Sequence, residues 1–122
     1  MKAKGFTLIE LLIVISIITL LSAALVPNLL QARNAAHNQA TRAFIREVVI
    51  GVESQRDPIT NDLPPASSTC EELAGKTPGP GAIKRCKYEP DTGTGTYTIT
   101  AESQSGKIYK HSGNTTIEVA SY

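Results

Sequence analysis

The chain has 122 residues, a formal net charge of +1, only 5% aromatic residues and no tryptophan. A near-neutral chain is not a generic polyanion binder, and so few aromatics exclude a large stacking platform for nucleic acid. Once an N-terminal helical region is set aside, roughly 65 residues remain, enough for one small domain whose marginal core needs a staple.

Lys2 and Lys4 precede an apolar run from Phe6 to Val26. Its length is close to the roughly 20 residues that span a hydrocarbon core. Beyond Glu10 its polar side chains are Ser16, Thr19 and Ser22, each able to bond back to a helix carbonyl. Glu10 stands apart. An acidic residue at the centre of a membrane helix costs about 3 kcal/mol on insertion scales, less near the interface. A carboxylate kept inside such a segment points to a function and needs a partner. Three readings compete. A secretory signal peptide would use Lys2 and Lys4 as its charged start and Ser22-Ala23-Ala24 for cleavage, but Glu10 interrupts its apolar core. A permanent anchor gives Glu10 no purpose. A short leader cut between Gly5 and Phe6 leaves the helix on the mature chain and gives Phe6 a free α-amine, four residues from Glu10. In a packed array, one subunit's Glu10 then neutralises a neighbour's amine, and a mis-spaced subunit leaves both unpaired.

Gly5-Phe6-Thr7-Leu8-Ile9-Glu10, followed by the apolar run and Pro27, resembles the N-terminus of type IV pilins and their pseudopilin relatives. The resemblance covers residues 1–35 and is weak elsewhere. It implies a prepilin peptidase that cuts after Gly5 and methylates Phe6, and a role for Glu10 in assembly. It implies a precursor in the bacterial inner membrane with Lys2 and Lys4 cytoplasmic, in line with the positive-inside rule. A membrane platform and an ATPase would then extract it into a helical homo-oligomer, an extracellular pilus or a periplasmic pseudopilus. Filaments of this kind serve twitching motility, adhesion or DNA uptake. One departure concerns Thr19, where many members have a glycine that, with the proline, loosens the helix in the filament; melting from Thr19 to Pro27 is less expected here.

Further along, Pro27 removes one backbone bond and crowds the preceding turn, which predicts a kink around Ala23 to Pro27. From Asn28 to Arg56 the pattern turns amphipathic: Ala36, Ala40, Phe44, Val48 and Val52 recur every four residues, widened by Ala43, Ile45 and Val49. Asp57-Pro58 ends the helix. The expected organisation is a leader over 1–5, an apolar membrane and filament-core helix over 6–29, and an amphipathic helix over 30–56. A single helix over 6–56 would be about 75 Å long. A connecting loop over 57–82, rich in proline, holds a short helix at Thr69 to Gly75 with Thr69 as cap. The head over 83–122 has four runs rich in Thr, Ile, Val and Tyr: Ile83 to Tyr88, Thr94 to Ala101, Lys107 to His111 and Thr115 to Ala120. Short links favour an antiparallel meander. Tyr97 with Ile99, and Ile117 with Val119, are expected to face the Phe44–Val52 stripe. The fold class is α+β, a long N-terminal helix packed against a small antiparallel sheet of about four strands.

Cys70 and Cys86 are the expected disulfide of an exported head, and closing a loop of this length stabilises by roughly 3 kcal/mol in the chain-entropy view. Without a histidine pair nearby they make a poor zinc site. Lys84, Arg85, Lys87, Lys107 and Lys110 are the basic concentration of the head. They would serve as a DNA contact only if they shared a face, and strand alternation sends Lys84 and Lys87, and Lys107 and Lys110, to opposite faces. Glu89 and Asp91 fall short of the six to eight oxygens calcium takes and read as a turn. His37 and His111 read as isolated and solvent-facing. Asn114-Thr115-Thr116 matches a glycosylation acceptor that chance explains in a turn of this composition. The sequence holds no nucleophile–base spacing, no phosphate loop before a helix and no metal-ligand cluster, so neither an enzyme nor a cofactor is expected. The reading is a structural filament subunit. A minor pilin or a type II secretion pseudopilin is the alternative within the class, and a signal-anchored, non-polymerising binding domain the alternative outside it.

Overall fold

The computed structural model describes residue 1 and residues 5–122. Its first element is α1 (Leu8–Gln55), which continues through Pro27. A four-residue helix, α2 (Cys70–Leu73), follows, then β1 (Ile83–Asp91), β2 (Thr96–Ser103), β3 (Ile108–Ser112) and β4 (Thr115–Val119). The strands form one antiparallel sheet in the order β1-β2-β3-β4, a meander. Contacts divide the chain into Met1–Arg33 and Asn34–Tyr122.

In Met1–Arg33, α1 exposes its large apolar side chains on every side, among them Leu8, Leu12, Ile15, Ile18 and Leu21. It is long and apolar enough to cross a membrane. Ser16 and Thr19 do bond back, their hydroxyls donating to the carbonyls of Leu12 (2.7 Å) and Ser16 (2.9 Å).

In Asn34–Tyr122 the amphipathic part of α1 lays Phe44, Ile45, Val48 and Val52 against Tyr88, Ile99, Ala101 and Tyr109 of the sheet, with Cys70 and Leu73 completing the core. The four-residue recurrence found Phe44, Val48 and Val52 but missed two buried positions. Thr41 is buried because its hydroxyl is satisfied by the His37 carbonyl at 2.8 Å. Gly51 is buried because α2 comes so close that a Cβ there would lie 1.7 Å from the Leu73 carbonyl oxygen. Ala36 is exposed instead.

The sheet corrects three expectations. A two-residue turn pairs Ser112 with Thr115, so Ile117 falls opposite Lys110 and Thr116 opposite His111. Ile117 therefore lies on the face away from the helix stripe, 54% exposed; a one-residue shift in register moves a whole strand's side chains to the other face. Pairing of β3 with β2 sets His111 opposite Ile99 on the inner face, where it is buried, not solvent-facing. Its Nδ1 lies 2.9 Å from the Thr116 hydroxyl. Finally, a bulge between Ile83 and Arg85 breaks the alternation, so that Lys84 and Arg85 converge on one carboxylate, Glu102. β1 also runs past Tyr88 to Asp91, with Pro90 tolerated because β1 is an edge strand.

Candidate functional site

The N-terminal site is built from the first turn of α1. Thr7 precedes the first helical residue, Leu8, and Glu10 stands three residues on. The Glu10 carboxylate accepts from the Thr7 backbone N–H at 2.8 Å and from the Thr7 hydroxyl at 2.7 Å. The Glu10 N–H donates back to the Thr7 hydroxyl oxygen at 3.3 Å, and the Leu11 N–H reaches the Thr7 carbonyl at 3.3 Å. This is a reciprocal capping box, which satisfies donors that a helix start otherwise leaves open. In hydrocarbon, where no water can substitute, each such donor matters more. Phe6, just outside the box, is 87% exposed. Among the described residues, no heavy atom lies within 4 Å of where a Cβ on Gly5 would stand. Lys2 and Lys4, assigned to the leader, lie outside the described residues.

The capping role of Glu10 was absent from the sequence reading, although Thr-x-x-Glu before an apolar run is its signature. The same signature recurs at α2. There the Thr69 hydroxyl oxygen accepts from the Glu72 N–H at 3.2 Å, and the Glu72 carboxylate accepts from the Thr69 N–H at 3.0 Å. Gly75, at φ +65°, ends that helix as expected.

In the head, Cys70 is bonded to Cys86 with Cα atoms 6.0 Å apart, tying α2 to β1. The basic residues are largely committed within the head. Lys84 (3.0 Å) and Arg85 bracket Glu102, whose carboxyl they hold below its usual range, Lys84 contributing most. Lys87 pairs with Glu89 at 2.7 Å and Lys107 with Glu118 at 2.9 Å. Asp91 accepts from the N–H groups of Gly93 (3.0 Å) and Thr94 (3.3 Å), which makes it a turn former. Hydrogen bonds from the Thr94 side chain and the Gly93 N–H keep its carboxyl low. Among the described residues no cluster of His, Cys, Asp and Glu is arranged to hold a metal ion.

Comparison with known proteins follows the same division. The Pilin A4 family model matches residues 37–118, and the prokaryotic N-terminal methylation motif matches residues 1–26. The type IV wide pilus major component PilA4 of Thermus thermophilus is 57% identical over 48 residues, which is 39% of this chain and 37% of that relative. The matched stretch thus spans little more than a third of that relative's length. A solved type IV pilin protein from Thermus thermophilus has a TM-score of 0.59 at 22% identity, covering 67% of this chain and 97% of the other, a likeness of fold.

Proposed function

Because the chain belongs to the Pilin A4 family of type IV pilins, we propose that it is cut between Gly5 and Phe6, methylated on Phe6, and polymerised through the apolar half of α1 as a major pilus subunit. The observation that carries this reading is the capped helix itself. Over residues 8–26 it is apolar on all sides, exposed, and holds a single carboxylate, in its first turn. In the bilayer, lipid covers that surface. In water only neighbouring helices can cover it, with a gain of about 25 cal/mol per Å2 of apolar area removed from solvent. Glu10 is then placed to meet the α-amine that cleavage creates on the Phe6 of a neighbour, so that two costly buried charges become one pair. The prepilin peptidase, assembly platform and ATPase are the partners this route requires, with the inner membrane first and the cell surface last. Pro27, which leaves one backbone bond of α1 unmade, is where the helix would bend during extraction.

Twitching motility, adhesion and DNA uptake are the roles that such a filament serves. The sheet gives DNA little to hold, since Lys84, Arg85, Lys87 and Lys107 are already paired.

The test is Glu10→Val in the full chain. Membrane insertion is expected to be intact or improved, while shear-recoverable filaments fall severely. Normal piliation would show that the charge pair is unnecessary. Mass spectrometry of wild-type filaments should find methylated Phe6 at the N-terminus; a mature chain beginning near Leu25 would establish the signal-peptide reading instead.

A further inference from the structure

The head is electrically polarised along α1. At the Asn38 end, α1 and the start of β3 line an open groove of about 520 Å3 that includes Gln39, Arg42, Arg46, Lys107 and Tyr109. The β2–β3 turn closes this end, where the Ser105 hydroxyl meets the Asn38 side chain. The Arg42 guanidinium stacks 4.8 Å above the Tyr109 ring, which holds the plane while leaving its edge donors available to a carboxylate. Lys107 is shared with Glu118, and among the described residues Arg46 takes part in no ion pair.

The Arg56 end is acidic. Arg56 bonds to Glu53 (3.1 Å), to the Asn61 side chain (3.1 Å) and to the Gly95 carbonyl (3.4 Å), and Gly95 closes the turn that Asp91 opens. Asp57 and Asp62 are joined through the Asp57 N–H and the Asp62 carbonyl at 3.0 Å. Glu53 pairs with that guanidinium, while Asp57 and Asp62 sit on the loop, and Asp91 on the turn, whose Asn61 and Gly95 it holds. At 1.5 Å per residue, Asn38 and Gln55 stand about 25 Å apart along the helix.

We propose that the groove of one copy receives the acidic end of the next copy, head to tail, in the filament. Either end would repel itself in a two-fold pairing. A contact between unlike ends repeats without closing and propagates a filament. The contact rests on the polymer reading above and adds to it which surfaces of the head meet. Its stabilisation comes from charge complementarity at a partly exposed surface, so it sets register and partner choice more than total affinity.

The experiment uses full-length chains in cells that lack the native subunit, scored by shear-released filament protein. Chain accumulation and Cys70–Cys86 bonding are followed as the measure of folding. Arg46→Glu alone and Asp62→Lys alone are each expected to lower filament yield about tenfold, since like charges then face each other. The chain carrying both Arg46→Glu and Asp62→Lys should recover, and so should cells co-expressing the two single variants, whose ends are complementary in alternation. Normal yield in both single variants would overturn the contact. So would failure of the double variant to recover while its chain accumulates with the disulfide formed. Filaments normal in Arg46→Glu with only DNA uptake lost would reassign the groove to phosphate and overturn the contact as well. Absence of filaments from the wild-type chain would instead overturn the polymer reading beneath it.

Discussion

Thr7 and Glu10 show how one side chain can serve two ends. The carboxylate that the mature filament would use against a neighbour is already bonded within its own chain to Thr7. Thr7→Val removes the hydroxyl that accepts from the Glu10 N–H, and losing a capping hydroxyl costs about 1 kcal/mol. The expected result is faster amide exchange over Leu8 to Leu11 in micelles, with protection restored by Thr7→Ser; equal exchange in Thr7→Val and wild type would show that the box contributes nothing. Glu102 is the corresponding residue in the head. Its folded-state pKa is lowered by Lys84 first and Arg85 second. A depressed carboxylate contributes fully above its unfolded value, and the contribution is lost as pH falls through the folded value. Asp57, held low by the N–H groups of Thr60 and Ile59, and Asp91 shift in the same direction. Stability of a fragment of residues 30–122, which holds the whole head, should therefore decline as pH falls below about 4.5, and Glu102→Gln should flatten that decline. An unchanged acid limb in Glu102→Gln would remove the Lys84–Glu102–Arg85 cluster from the account.

Among the elements, the junction of α1 with α2 is the most exacting. Alanine is the better helix former by up to ~1 kcal/mol, so propensity alone favours Gly51→Ala. The Leu73 carbonyl oxygen, 1.7 Å from the added Cβ, forbids it without a shift of backbone. The expected cost is about 2 to 3 kcal/mol of overpacking, read by urea denaturation of the 30–122 fragment; a neutral or stabilising effect would mean that α2 is free to move away. The helix, its apolar and amphipathic stretches, the capped turn at Thr69 and all four strands were legible, because each rests on local periodicity or turn chemistry. What was not legible depends on pairing. The register that turns Ile117 outward is set by the Gly113-Asn114 turn, and the one that turns His111 inward by the pairing of β3 with β2; both alternatives present the same alternating residues. The bulge that brings Lys84 beside Arg85 has no local mark. The groove of Arg42, Arg46 and Lys107 joins residues far apart in sequence and exists only once the sheet sits on the helix. The capping box at Glu10 is legible in principle from Thr-x-x-Glu, and was hidden by looking for the carboxylate's partner only on a neighbouring chain.

For the whole molecule, the apolar stretch and the head are expected to contribute to assembly unequally. A helix core excludes water over its whole length, whereas head contacts lie in solvent and are screened within about 8 to 10 Å at ordinary ionic strength. Assembled filaments should survive high salt and come apart in detergents that compete for the helices. Ile17→Glu, which adds a charge with no terminal amine to meet it, should abolish filaments while leaving the head folded; filaments of normal yield from that variant, counted by electron microscopy, would refute a helix core.

The capping box also bears on how a dormant precursor would become competent. Thr7 and Glu10, and every bond they exchange, lie on the mature side of the Gly5–Phe6 bond. A cut there severs none of these hydrogen bonds. What changes is the appearance of a positive charge where there had been a neutral amide. The peptidase would then act as a switch of charge and not of shape, converting a membrane resident into a building block without refolding any part of the helix.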